Sequence, residues 1–134
     1  TTSSMFDDVA EFHRVVLCVE PSESPTLVSP EFIMEKFRFL TEEVNEFMED
    51  ALKGDMVRAT DGLLDTIYVA LGALYSMGIP VQECWNAVQK ANMAKKLGMT
   101  SRGNKIDAIK PPGWVGPEQE IAAAILKRVN ASDA

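Results

Sequence analysis

Between Gly62 and Ile79 apolar side chains recur on every side of a helix, with Leu63, Leu64, Ile67, Tyr68, Val69, Leu71 and Leu74 among them. A helix that is apolar all round belongs in the middle of something. The sequence therefore predicts a central buried helix with others wrapped around it. The longest apolar run, Thr66 to Val81, is interrupted by Ser76 and Gly78 and bounded by Asp65. It falls short of the ~20 apolar residues that a membrane span needs, which again favours a core helix. A carboxylate beside such a wall is costly unless it is paired, protonated or holding a cation, and no cation lies near Asp65 in sequence. Asp61, one turn earlier, shares the same helix side but has Arg58 as an alternative partner.

The punctuation around this helix sets the other elements. Ser4, with Asp7 three residues on, suits the start of a first helix reaching about Val19. Pro21-Ser22-Glu23-Ser24-Pro25 reads as a loop. Ser29-Pro30 supplies a cap and a first-turn proline for a long second helix ending near Lys53-Gly54. Asp55 caps the third helix, which runs to Met77 and stops at Gly78. Pro80 opens a fourth, to about Leu97-Gly98. Met99 to Gly116, rich in Gly, Pro and Lys, reads as a long functional loop, and a short fifth helix spans Pro117 to Val129. Strand alternation is absent over any useful length, so the expected class is all-α: a four-helix-bundle-like single domain over residues 1–134, with a long C-terminal loop and a short fifth helix.

On the second helix Ile33, Phe37, Leu40, Val44, Phe47 and Ala51 recur at alternating spacings of four and three, which predicts a packing seam. Glu42, Glu43, Glu46, Glu49 and Asp50 fall roughly opposite it. The string Glu42-Glu43-Val44-Asn45-Glu46 is E-E-x-x-E, with carboxylates at i, i+1 and i+4 on one side. A solvated outer face has the same pattern, but Phe32 and Phe39 project among these acids. They ask for a partner, either another helix or another subunit. Packed helices lie about 8–10 Å apart, so inward carboxylates from two of them can share a cation.

Composition narrows the chemistry. The net charge of −7 argues against nucleic acid or an anionic membrane as partner. Lys90, Lys95, Lys96, Arg102, Lys105 and Lys110 stand against only Asp107 in residues 90–110, an asymmetry suited to holding a cation and a phosphate chain together. Cys18 and Cys84 lack metal-ligand spacing and no leader-like segment is read, so a cytoplasmic setting is expected. With carboxylates only, the metal expected is Mg²⁺, or Mn²⁺ in its place, not zinc. A di-iron bundle needs Glu-x-x-His motifs, and His13 is preceded at that spacing by Ala10.

Leu40-Thr41-Glu42-Glu43-Val44-Asn45-Glu46 followed by Asp61-Gly62-Leu63-Leu64-Asp65-Thr66-Ile67-Tyr68-Val69 resembles the all-α, MazG-like nucleoside triphosphate pyrophosphohydrolases, which include the phosphoribosyl-ATP pyrophosphohydrolases. Ala91-Asn92-Met93-Ala94-Lys95, Lys110-Pro111-Pro112-Gly113-Trp114 and Val9-Ala10-Glu11-Phe12-His13-Arg14 resemble further segments of its single-domain phage and bacterial members. The ordered match spans roughly residues 5–118. One departure stands out: the second acidic motif of the group is commonly E-x-x-D, and the position three before Asp65 is Gly62. The D-x-x-x-D form resembles the phosphoribosyl-ATP branch.

The resemblance implies hydrolysis of a (deoxy)nucleoside triphosphate to monophosphate and pyrophosphate by two or three metal ions, in a homodimer or homotetramer with sites near subunit interfaces. Glu43, Glu46 and Asp65 are the expected metal ligands, with Glu42 and Asp61 as ligands or as the base that takes the water's proton. Lys95 and Lys110 are candidates for the phosphates and Asn92 for phosphate or sugar. Lys96, Arg102 and Lys105 join them, with simple solvation as their alternative. Phe12 and His13 are candidates for the base, with core packing as the alternative for both. Trp85 and Tyr68 are read as core. In style the chain is similar to phage members acting on guanine nucleotides, although its residues leave the base open. A non-catalytic nucleotide or Mg²⁺ sensor and a plain dimerisation module are the rival readings.

Overall fold

A computed structural model describes residues 4–99 and 106–133. Its described residues form five helices, α1 (Met5–Val15), α2 (Pro30–Leu52), α3 (Met56–Ser76), α4 (Val81–Met93) and α5 (Glu118–Ser132), and two strands, β1 (Lys96–Gly98) and β2 (Asp107–Ile109). The class is all-α. The chain forms two compact units that meet in sequence at Ile79–Pro80. No helix among the described residues is long and apolar enough to cross a membrane.

The helix starts follow their caps. Ser4 and Asp7 form a reciprocal capping box, each side chain taking the other's backbone N–H. Ser29 Oγ accepts from Phe32 N and Asp55 Oδ1 from Arg58 N. The first helix ends earlier than its pattern suggests. The chain turns at Cys18, whose φ of 56° lies in the left-handed region, and the Tyr75 hydroxyl donates to the Val19 carbonyl at 2.8 Å. That long-range bond, with Val19 N donating to the His13 carbonyl, holds a conformation that a non-glycine residue adopts at some cost.

In the first unit α2 and α3 form a hairpin, and α1 packs on α3. Val9 and His13 of α1 are buried, as are Ala59, Gly62, Gly72 and Tyr75 of α3. Small residues set the approach. A Cβ on Gly72 would lie 2.6 Å from His13 Cε1, and one on Gly62 would lie 3.2 Å from Phe47 Cα.

Two packing expectations are corrected. α2 has no fully buried residue, and its half-buried side is Phe32, Lys36, Leu40, Glu43, Phe47 and Asp50. The seam is thus turned from the predicted one toward the carboxylates, by roughly a sixth of a turn. Ile33, Phe37 and Val44 are left exposed. Nor is α3 buried all round, since Leu63, Leu64, Ile67 and Tyr68 are exposed. An apolar pattern states what avoids water, not which partner covers it.

In the second unit α4 and α5 pack together. α4 stops at Met93 rather than near Gly98 because Trp114 Nε1 donates to the Ala91 carbonyl at 2.7 Å, the acceptor that a continuing helix would use. The chain then enters β1, which pairs antiparallel with β2, Lys96 opposite Ile109 and Gly98 opposite Asp107. Trp85, read as core, is 61% exposed. It lies off the side of α4 formed by Val81, Cys84, Ala87, Val88 and Ala91.

Candidate functional site

The α2–α3 hairpin carries the carboxylates along one groove. Glu46, Glu49 and Asp50 of α2, Lys53 at its C-terminal cap, and Arg58, Asp61, Gly62 and Asp65 of α3 line a cavity of about 400 Å³. The turn between the helices is short, Lys53 to Asp55, so residues equally far from it face each other. Gly62 lets the backbones approach closely here: a Cβ at this position would lie 3.2 Å from Phe47 Cα, tighter than an ordinary contact. The departure from E-x-x-D thus falls at a close approach of α2 and α3. Asp61, one position earlier and exposed, lines the groove.

Glu43 stands close to the charges of this groove. It is half-buried, and its Oε2 is fully shielded from solvent without any hydrogen-bond donor. Burial pushes its carboxyl pKa up, and the nearby charges of Glu46, Asp65, Asp61 and Glu42 raise it further. A shielded carboxylate oxygen without a donor is costly in the ionised form. The same environment suits a cation, which would supply the missing partner and relieve the repulsion at once. Asp65 is half-buried and Glu42, Glu46 and Asp61 are exposed. Among the described residues Asp61 and Asp65 make no ion pair, and Arg58 lies instead 3.7 Å from Asp55. No three acidic, cysteine or histidine side chains among the described residues converge closely enough to chelate a metal as they stand; the carboxylates surround a space. The groove's donors are oxygen-only and the orphaned Glu43 oxygen lies close to their charges, a chemistry that a hard divalent ion would match.

The other expected site residues fall in two places. Phe12 meets Tyr68 edge-on at 5.5 Å, one turn of α3 beyond Asp65. His13 is buried, its Nδ1 donating to the Val9 carbonyl at 2.9 Å and its ring 5.1 Å from that of Tyr75. That is a packing position. Phe32 and Phe39 flank Lys36, whose Nζ is 5.3 and 5.4 Å from their rings. This accounts for two phenylalanines close to the acids.

In the second unit Lys95 and Lys110 both lie over Trp114, at 5.4 and 5.0 Å. Asn92 and Lys96 are exposed, and Arg102 and Lys105 lie outside the described residues. A cavity of about 540 Å³ there is lined by Lys90, Ala91, Pro111, Pro112, Trp114 and Glu120, among others. Lys90 and Glu120 pair across it at 2.7 Å. The groove residues that sequence reasoning missed are Lys53 and Arg58. Their signal was helical phase, since Lys53 follows Glu46 and Glu49 or Asp50 at intervals of three and four.

No curated protein matches this chain. The family described as phosphoribosyl-ATP pyrophosphohydrolase matches residues 9–92, more than half of the chain and the whole of the α2–α3 hairpin. The chain belongs to this family of nucleotide pyrophosphohydrolases.

Proposed function

We propose that this protein hydrolyses a purine (deoxy)nucleoside triphosphate to the monophosphate and pyrophosphate, with Mg²⁺ or Mn²⁺ as cofactor. The observation that carries the reading is the shielded Glu43 oxygen with no donor, close to the charges of Glu46, Asp65 and Asp61, which line the acidic groove. A polyphosphate cannot approach such a groove unaided, because like charges at close range repel strongly where water is excluded. Divalent ions between the two resolve the conflict. Glu43, Glu46 and Asp65 would hold them, with Glu42 or Asp61 completing the set. When bound, two or three ions would neutralise the phosphates and lower the pKa of a water.

The chain's own carboxylates supply the remaining chemistry. The water's oxygen bonds to phosphorus, the bridging anhydride bond breaks, and its electron pair leaves with pyrophosphate. The water's proton passes to a carboxylate, for which the exposed Asp61 and Glu42 are the candidates. Phe12 is proposed for the base and His13 for packing beneath it. Asn92, Lys95 and Lys110 are proposed for phosphate and sugar by their chemistry, with Lys96 beside them. A homodimer or homotetramer is the expected assembly.

A panel of NTPs, dNTPs and phosphoribosyl-ATP, each with Mg²⁺ or Mn²⁺, tests this. Monophosphate and pyrophosphate from a purine triphosphate support it. Turnover of phosphoribosyl-ATP alone would sink the substrate assignment, and binding without turnover would make the protein a sensor.

A further inference from the structure

We infer that Lys53 and Arg58 form the terminal-phosphate end of the groove, so that the substrate lies with its β- and γ-phosphates toward the α2–α3 turn and its nucleoside toward Phe12 and Tyr68; this rests on the function proposed above. The charge order along the hairpin carries the inference. From its open end toward the turn, α2 presents Glu43, Glu46, Glu49 with Asp50, and then Lys53; α3 presents Asp65, Asp61 and then Arg58. Both helices place acids first and a cation last, and both cations line the same cavity as the acids.

Neither cation is committed to the acids. Lys53 makes no ion pair with a described residue, although Glu49 and Asp50 line the cavity beside it. Arg58 has only its contact with Asp55, between exposed side chains at 3.7 Å, and pairs of that kind are worth little and are readily given up. Helix ends do not do the work. The C-terminus of α2 and the N-terminus of α3 meet at this turn, and their opposite partial charges offset each other. Lys53 lies seven residues from Glu46, about 10 Å along α2, and its flexible stem can lean back along the groove. Arg58 offers a planar fork suited to a phosphate's paired oxygens. At the other end the Phe12–Tyr68 pair is the aromatic surface next to Asp65 along α3.

The test separates the two products. Pyrophosphate and the matching monophosphate are each titrated into the protein with Mg²⁺ by calorimetry, and kcat and KM are measured for the triphosphate. Lys53→Ala and Arg58→Ala should each weaken pyrophosphate binding about tenfold, as loss of a charge-assisted contact does. Monophosphate binding should change little. Lys53→Arg should restore pyrophosphate binding, and Lys127→Ala, an exposed lysine on α5, should change neither. Equal weakening of both products, or no weakening, overturns the inference. Failure of the wild-type protein to cleave any triphosphate overturns the proposed function instead. Wild-type turnover with undiminished pyrophosphate binding in the variants overturns this inference alone.

Discussion

At Glu43 one carboxylate oxygen has lost water without gaining a donor, and burial with four neighbouring acids raises its pKa. The folded state therefore holds this proton more tightly than the unfolded chain. Stability contributed at this group is fully present below the unfolded value, about 4.3 for a glutamate, and is lost as pH rises through the folded value. Near neutrality and without metal, the ionised side chain works against the fold. Glu43→Gln should accordingly raise the melting temperature of the metal-free protein by a few degrees at pH 7.5, and the gain should shrink as pH falls toward the unfolded value. The same substitution should lower turnover by roughly a hundredfold or more, and Mg²⁺ should stabilise the wild-type protein but not the variant. Thermal melts across pH, with and without Mg²⁺, check this; a variant less stable than wild type at neutral pH would refute the account. The motif Glu42-Glu43-x-x-Glu46 is plain in the sequence, but its orientation is not. A row of acids on a helix looks alike whether it faces water or borders a buried seam, and only the α2–α3 contact decides.

Helix boundaries were legible wherever a local cap sets them, as at Ser4, Ser29 and Asp55. They were not legible where distant residues end a helix: the Tyr75 hydroxyl on Val19 and the Trp114 indole on Ala91 act across 56 and 23 residues. The β1–β2 pair was missed because three-residue strands are too short for alternation to show. Gly62 belongs to this scale as well. In the sequence it is merely a gap in an acidic motif; in the hairpin it sets how closely α2 and α3 approach beside the groove. Gly62→Ala adds a Cβ 3.2 Å from the Phe47 backbone, and backbone on a packed helix gives way poorly. Overpacking of this kind costs about 1–3 kcal/mol, against about 1 kcal/mol gained from alanine's helix propensity. The melting temperature should fall and kcat should drop with it, since the carboxylates on the two helices would be spread apart. Unchanged melting and unchanged turnover would show that the close approach at Gly62 does not position the site.

Among the described residues many large apolar side chains stand in water. Val9 is the largest side chain that is fully buried among the described residues, whereas chains of this size ordinarily bury about two-thirds of their unfolded surface. The exposure is organised. Ile33, Phe37, Val44 and Met48 recur at four, seven and four residues, so they share one stripe of α2; Phe37 is 61% exposed and the others 44–49%. Ile33, Phe37 and Val44 belong to the seam that sequence periodicity predicts, and the stripe turns away from the half-buried side of α2. Contiguous apolar stripes on a protein surface are the kind of feature that interfaces use. A second copy of this chain is the expected occupant, because the stripe lies on the helix that also carries Glu42, Glu43 and Glu46, and the family resemblance implies paired subunits. Sedimentation at micromolar concentration should therefore give a dimer or a tetramer. Phe37→Glu should shift it to monomer while the far-ultraviolet circular dichroism stays helical, because Phe37 is mostly exposed within the chain. If assembly also shapes the groove, the monomeric variant should lose turnover although every groove residue is intact. A wild-type protein that sediments as a monomer, or a Phe37→Glu variant that stays assembled, would remove this stripe as the interface and leave its exposure to be explained another way.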